Sequence, residues 1–209
     1  MKTLLLTILI AFSSFFGSHP QQKFKRYGIK SGIIEYELSG AQSGKETVYF
    51  DDWGYREAKY TEAEFSFSGF TQKNNSITIM EGKMIYSIDL STNTGTKVEN
   101  TMFDGLEDED LEKMGEKMMK EMGGEKTGTE EVMNKECDVW EIKHMGSKTW
   151  VWKSIPLKTE VNMGMQMNIV ATSITEGDVP AEKFEIPEGI TFQDAGNLDD
   201  IMKKLKEGG

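Results

Sequence analysis

The sequence predicts a mainly β (α+β) protein, in which about nine or ten strands form one long antiparallel meander accompanied by two helices. Most segments after residue 30 alternate apolar and polar residues with a period of two, which is typical of strands with one covered face. The chain contains 21 Gly and only 4 Pro, a balance that suits many turns between strands. Near residues 104–122 and 197–207 the apolar residues recur at helical spacing instead.

The clearest strand pattern lies between Lys148 and Thr175, where two alternating runs meet at Ile155-Pro156-Leu157-Lys158. Trp150 and Trp152 fall on one face of the first run. The second run predicts a long strand to Ile174, and its apolar residues share another face: Val161, Met163, Met165, Met167, Ile169 and Ala171. Trp and Met side chains on adjoining strands predict a wide apolar wall rather than a catalytic pocket.

Other strands are predicted on both sides of this stretch. Residues 32–50 predict a hairpin that turns near 40–44, and residues 77–90 predict another that turns at Glu81-Gly82-Lys83. Residues 61–75 fit either a long strand or a mobile loop. The strand pattern resumes at residues 136–143, and the proline-bounded segment 184–190 predicts an edge strand.

A helix is predicted from Asp104 to Met122, because acidic residues crowd its start and Gly123-Gly124 follows its end. Its apolar stripe consists of Leu111, Met114, Met118 and Met122. Gly115 inside the helix costs roughly 1 kcal/mol relative to alanine, so the helix needs a surface to lie on. Flexible Met side chains break contact at modest cost, which predicts a movable lid that uses Met114, Met118 and Met122. Asn197 is expected to cap a final helix that ends near residue 207.

The N-terminus predicts secretion. Residues 1–18 combine Lys2, an apolar run and small residues, which is the pattern of a signal peptide rather than of a membrane span. We therefore expect cleavage between about residues 15 and 22. One domain would then occupy residues 19–209, in the periplasm of a two-membrane bacterium or outside the cell. The net charge of −11, without a basic stripe, argues against nucleic acid as a partner.

The last third of the chain has a recognisable order of segments. Trp150-Val151-Trp152-Lys153-Ser154-Ile155-Pro156-Leu157-Lys158 leads into the long strand, and Val179-Pro180-Ala181-Glu182-Lys183-Phe184-Glu185-Ile186-Pro187-Glu188-Gly189 closes the pattern. These segments resemble the periplasmic lipoprotein-carrier family, that is, LolA-like and related outer-membrane lipoprotein-sorting proteins. The resemblance implies a curved antiparallel half-barrel of about 9–11 strands, covered by one or two helices. It also implies that the sheet holds acyl chains or other apolar ligands.

We interpret the protein as a periplasmic binding or carrier protein for a lipid, a lipoprotein acyl chain or another apolar ligand. The predicted ligand-binding wall is Trp150, Trp152, Met163, Met165 and Met167. The simpler interpretation of these residues is a plain core, and one concave face could serve as both. The alternative function is a structural or protein-interaction module of the cell envelope. An empty, enclosed apolar cavity would favour the carrier, and a solid core with an exposed apolar patch would favour the module.

Metal binding and catalysis find less support. Met163, Met165 and Met167 offer thioethers, which are soft ligands for Cu(I), but no His or Cys lies near them in sequence. The acidic run 107–112 lacks the spacing of a calcium loop. Cys137 is the only Cys, so we expect a buried and inert thiol rather than a nucleophile paired with His144. We therefore predict no enzymatic activity, no cofactor and no metal.

Overall fold

Twelve strands form one open, curved sheet in a computed structural model, which describes residues 25–101, 111–198 and 200. The strands are β1 (Gly32–Gly40), β2 (Gln42–Asp51), β3 (Arg56–Phe67), β4 (Phe70–Glu81), β5 (Met84–Asp89), β6 (Thr94–Glu99), β7 (Glu125–Val132), β8 (Lys135–Ile142), β9 (Ser147–Trp152), β10 (Ile155–Asn162), β11 (Gln166–Glu176) and β12 (Thr191–Asn197). One α-helix, α1 (Leu111–Glu121), lies between β6 and β7 in the chain. The predicted mainly β, half-barrel fold class is confirmed.

Two antiparallel meanders build the sheet. The strand order is β12, β6, β5, β4, β3, β2, β1, β11, β10, β9, β8, β7, so β1–β6 form the first meander and β7–β11 the second. The antiparallel ladder between β1 and β11 joins them, from Gly32 opposite Glu176 to Gly40 opposite Met167. β12 adds to the edge of the first meander in parallel with β6. The prediction of one long meander is therefore wrong in its connectivity.

Several predicted elements need correction. The described chain has more strands than predicted, because neither β6 nor β7 was expected. Residues 61–75 belong to two long paired strands, β3 and β4, and not to a mobile loop. The edge strands are β12 and β7, whereas the predicted segment 184–190 begins at the end of a short 3-10 helix, Ala181–Phe184, and forms no strand. Signal-peptide residues 1–18 lie outside the described residues, and the domain bounds stay a prediction.

The apolar residues form two clusters on opposite faces of the sheet. The first-face core contains Ile34, Tyr36, Val48, Phe50, Cys137, Val139, Trp150, Ile155, Leu157 and Ala171, together with Ile29 from the segment before β1. The second-face core contains Ala58, Ile77, Ile79 and Ile88, with Phe184, Ile190 and Phe192 packed against it. Adjacent residues of β2 show the division, because Phe50 belongs to the first cluster and Tyr49 packs against the second.

A hydrogen bond ties the two meanders together inside the first-face core. The Tyr36 hydroxyl on β1 donates to the carbonyl of Pro156 on β10, at 3.0 Å, and so reaches past the intervening β11. Burial of this side chain raises the pKa of Tyr36, and the charge of Glu46 raises it further. The hydroxyl is therefore a neutral, satisfied donor in the core.

Candidate functional site

A cavity of about 790 Å³ lies between α1 and the strands β8 and β9. Its apolar lining consists of Met118, Met119, Met122, Trp140, Val151 and Trp152. Polar residues at its border include Glu116, Glu136, Asp138, Lys153 and Ser154. This volume falls in the range of about 300–1,000 Å³ that is usual for small-molecule sites. An open cavity with Met and Trp walls is the feature of this fold most suited to an apolar ligand.

The C-terminal end of α1 is fixed by a pair of backbone hydrogen bonds. Gly124 N–H donates to the carbonyl of Met119 at 2.7 Å, and Gly123 N–H donates to that of Lys120 at 2.9 Å. This is the Schellman pattern, and Gly123 has the left-handed φ of 75° that it requires. A side chain at Gly124 would collide with the Met119 carbonyl, 2.7 Å from the added Cβ. The chain can therefore turn sharply from α1 into β7.

The predicted lid residues lie at the cavity where they are described. Met118 and Met122 line the cavity, and Met119 joins them although it lies off the predicted stripe. The side chain of Met114 lies outside the described residues. Gly115 has open space around its Cβ position, so no close packing explains a glycine there. Whether α1 moves as a lid stays a prediction.

Successive side chains of β8 point to opposite faces of the sheet, and those on one face form the floor of the cavity. Cys137 and Val139 point into the first-face core, whereas Glu136, Asp138 and Trp140 line the cavity. Trp140 is only 4% exposed, and it was missed by the sequence analysis. The alternating pattern of residues 136–142 places Trp140 and Cys137 on opposite faces of the strand. This pattern was the signal that could have identified Trp140.

The two predicted tryptophans have different surroundings. Trp150 is buried in the first-face core and does not line the cavity, and its indole N–H donates to Glu130 at 2.8 Å. That hydrogen bond lowers the pKa of the Glu130 carboxyl, and a second one from Lys148 lowers it further. Trp152 is half-buried at the end of β9 and lines the cavity beside Lys153. Of the two, only Trp152 lines the cavity, and it also packs against the first-face core.

The predicted methionine wall spans a hairpin turn. A hairpin turn separates β10 from β11, so residues 161–171 are not the continuous strand that alternation predicted. Met163 is 59% exposed in this turn, Met165 follows it, and Met167 lies on β11 opposite Val161. None of these three methionines lines the cavity under α1. Their assignment as ligand-binding residues stays a prediction, and none of them contributes to this cavity.

Cys137 is fully buried in the first-face core. Burial raises the pKa of its thiol, and Sγ lies 3.4 Å from the carbonyl oxygen of Lys135, to which it donates. Elsewhere in the described part of the chain, no three His, Cys, Asp or Glu side chains are grouped so that they could hold a metal ion. A buried thiol of raised pKa is a poor nucleophile.

A second cavity, of about 440 Å³, lies over β4, β5, β6 and β12. Six of its lining residues carry a hydroxyl group: Ser76, Thr78, Ser87, Thr94, Thr96 and Thr191. It has neither Met nor Trp in its walls, so it does not share the chemistry of the cavity under α1. The latter is the candidate functional site.

The fold and the site define a mainly β half-barrel with an apolar cavity beneath a helix. No protein-family model and no curated protein matches the sequence. An uncharacterised conserved protein from Thermus thermophilus is similar in structure, with a TM-score of 0.47, 9% identity, and coverage of 78% of this chain and 90% of that chain. LprF from Mycobacterium bovis is similar with a TM-score of 0.33, 9% identity, and coverage of 78% and 91%. Neither similarity identifies a function.

In the described ranges, no helix is long and apolar enough to cross a bilayer.

Proposed function

We propose that the protein binds a lipid, an acyl chain or another apolar ligand in the cavity between α1 and the β8–β9 strands, as a carrier in the periplasm. The observation that carries this proposal is the Met- and Trp-lined cavity of about 790 Å³. Its volume suits one small amphiphile, and most of its wall is apolar.

The physical basis of binding would be removal of a hydrocarbon chain from water. Each buried methylene contributes about 0.8 kcal/mol, so even a short chain gains several kcal/mol before the entropic cost of binding is subtracted. Met118, Met119 and Met122 are unbranched and polarizable, so one wall of the cavity can adapt to chains of different shape. Trp140, which is buried on the cavity side of β8, supplies a more rigid part of the wall.

The test is binding of a fluorescent fatty-acid probe to the purified chain and to two matched variants. Met118→Glu places a carboxylate in the cavity wall, whereas Met163→Glu places the same group on an exposed hairpin turn. We expect at least about tenfold weaker binding for Met118→Glu, equal to about 1.4 kcal/mol, because burying a charge beside hydrocarbon is costly. Met163→Glu should bind like the wild type.

Circular dichroism separates binding from folding in this test. Both variants should retain the β signal, because the two sheet cores do not include Met118 or Met163. A wild-type protein that binds no apolar probe would rule out the carrier function. Global unfolding of Met118→Glu would show that α1 is a core element, and would remove the lid hypothesis only.

One observation favours the alternative, a protein-interaction module. Phe67 and Phe70 flank the tight turn between β3 and β4 and are 46% and 59% exposed. Two aromatic rings at the tip of a long hairpin form an apolar contact point for a partner in the cell envelope. Under this alternative, replacing both rings by Ser should abolish capture of a crosslinked envelope protein without changing probe binding.

A further inference from the structure

We propose that three loops at one end of the sheet form a binding site for the soft metal ion Cu(I). The loops are the α1–β7 connection (residues 122–124), the β8–β9 turn (143–146) and the β10–β11 turn (163–165). Together they carry one imidazole and four thioethers, which belong to His144, Met122, Met145, Met163 and Met165. The inference does not depend on the carrier function, because of these residues only Met122 lines the cavity.

The strand order brings the three loops to the same end of the sheet. The strands β11, β10, β9 and β8 are consecutive and antiparallel, so the β8–β9 and β10–β11 turns lie side by side. The first residue of β7, Glu125, pairs with Glu141 near the end of β8. The α1–β7 connection therefore reaches this end as well.

Contacts between the loops show how close they are. The Asn162 N–H, beside the β10–β11 turn, donates to the Gly146 carbonyl at 2.8 Å. A Cβ added at Gly146 would lie 3.4 Å from Cγ of Met163. A Cβ added at Gly123 would lie 3.2 Å from Cε1 of the His144 ring. Both neighbouring loops thus contact the β8–β9 turn, which carries the imidazole.

Packing in a core does not explain these methionines. Met122, Met145 and Met163 are 43%, 42% and 59% exposed. Turns usually hold Gly, Asn, Asp or Ser, yet Met163-Gly164-Met165 is a three-residue turn in which the Met163 N–H donates to the Met165 carbonyl at 3.2 Å. Thioethers that solvent can reach are able to act as metal ligands instead.

This set of ligands is selective for Cu(I). Thioethers are soft ligands that select Cu(I), and imidazole also suits copper. The prediction of no metal rested on the lack of a His or Cys near Met163 in sequence. The fold removes this objection, because it brings the β8–β9 turn with His144 next to the β10–β11 turn. The thiol of Cys137 is buried in the first-face core and is not part of the site.

The charges around the loops are compatible with a bound cation. Lys143 on the β8–β9 turn pairs with Glu125 at 2.9 Å, and Lys120 near the end of α1 pairs with Glu116 at 3.2 Å. The helix ends at Glu121, and the C-terminal end of a helix carries a partial negative charge that favours cations. The positive charges of these two lysines are therefore balanced by carboxylates.

The experiment is a titration of the purified chain with Cu(I), kept reduced by ascorbate, in competition with a chromogenic Cu(I) chelator. We expect stoichiometric binding. Replacing Met163 and Met165 together by Leu removes two sulfurs and keeps the side chains apolar. It should weaken Cu(I) binding at least about tenfold, since even the loss of a group that supports a metal ligand costs about 10–100-fold. Met118→Leu with Met119→Leu, in the cavity wall, is the matched control and should bind Cu(I) like the wild type.

Methyl NMR spectra of the wild type locate the ion without relying on a variant. Cu(I) should shift the methionine methyl resonances of the three loops and leave those of Met118, Met119 and Met167 unchanged. Wild-type protein that takes no Cu(I) from the chelator would overturn the inference, and so would shifts confined to other methionines. A Leu double variant that binds Cu(I) as tightly as the wild type would also overturn it. Fatty-acid probe binding to that variant should be unchanged, so this site is tested separately from the carrier function.

Discussion

Replacing Glu57 by Gln should strongly destabilise the protein, because Glu57 is the anionic partner of a nearly buried arginine. The Arg26 guanidinium contacts the Glu57 carboxylate and the Met80 sulfur, and the Tyr27 hydroxyl donates to the same carboxylate. The side chains of Arg26 and Glu57 are only 11% and 13% exposed. Desolvation and the Glu57 charge both raise the pKa of Tyr27.

The expected loss of stability follows from the positive charge of Arg26, which would no longer have an anionic partner. Glu57→Gln retains an acceptor for Tyr27 but removes the negative charge beside Arg26. Breaking a buried ion pair by removing one partner costs about 3–5 kcal/mol, and the slight exposure of this pair favours the lower value of about 3 kcal/mol. Replacing both residues by Met should recover most of that loss, because no uncompensated charge then remains.

The assay is urea unfolding followed by circular dichroism. With a denaturant slope of about 2 kcal/mol per molar urea, Glu57→Gln should lower the midpoint by about 1.5 M. Glu125→Gln is the matched control, since Glu125 pairs with Lys143 while the two side chains are 66% and 71% exposed. It should change stability by less than about 0.5 kcal/mol. A midpoint for Glu57→Gln within error of the control would refute this reasoning, and so would a Met double variant no more stable than the single one.

Two further predictions concern titratable groups. Burial raises the pKa of Tyr27 and of Tyr36, so both hydroxyls stay neutral in the fold at pH values where they ionise in the unfolded chain. Stability should therefore be fully present below about pH 10 and fall above it, by up to about 1.4 kcal/mol per pH unit for each tyrosine. Urea midpoints from about pH 8 to 11 measure this, and Tyr36→Phe should reduce the slope; an unchanged slope would contradict the assignment. Cys137 should react with a thiol reagent only as fast as the protein unfolds, because the thiol is buried and its pKa is raised. Rapid labelling of the native protein, followed by mass spectrometry, would show that prediction to be wrong.

The network at Glu57 also bears on the candidate site. Arg26 and Tyr27 belong to the segment before β1, whose amides donate to the Trp53 carbonyl at 2.8 and 3.1 Å. The next residue, Gly28, donates to the Lys153 carbonyl at 2.8 Å and lines the cavity. A side chain at Gly28 would contact the Lys153 Cβ at 2.9 Å. Loosening the Glu57 network should therefore alter the border of the cavity at Lys153.

The sequence predicted the strands that have one covered face. Ile34, Tyr36 and Leu38 are all buried on β1, and the hairpin of β4 and β5 turns where Gly82 predicted it. The predicted N-cap is also present, since the Asn197 side chain accepts the Asp200 N–H at 2.9 Å. Leu198 and Asp200 are helical, and the predicted helix beyond Asp200 lies outside the described residues. Burial and capping leave local patterns, which is why these features could be predicted.

The misplaced hairpins have a local cause. The β7–β8 and β9–β10 turns consist of Met133-Asn134 and Lys153-Ser154, and all four residues have positive φ. Such two-residue turns are usually recognised by glycine, and neither pair contains one. β7 was therefore missed, and the β9–β10 turn was placed near Pro156. Between β10 and β11 the alternation of methionines continues through the turn, and only Gly164, with φ of 76°, marks it.

The cavity could be predicted only in part. Helical spacing identified Met118 and Met122, because residues four positions apart lie on the same side of a helix and of its last turn. It could not show which sheet residues they face, since the pairing of α1 with β8 and β9 depends on the strand order of the whole sheet. Trp150 and Trp152 have the same alternation phase, yet only the end of β9 reaches the cavity. Local periodicity does not distinguish the two.

The ladder between β1 and β11 has a consequence for the time course of folding. During synthesis, β1 can pair with β2 as soon as β2 has been made. The other edge of β1 pairs with residues 167–176 of β11, and β11 is synthesised after every other strand except β12. Contacts between such distant segments form slowly, and an unpaired apolar edge is a template for pairing with another chain. Ile33 and Ile34 lie on that edge. The greatest risk of aggregation therefore belongs to the nascent chain, before β11 has paired with β1.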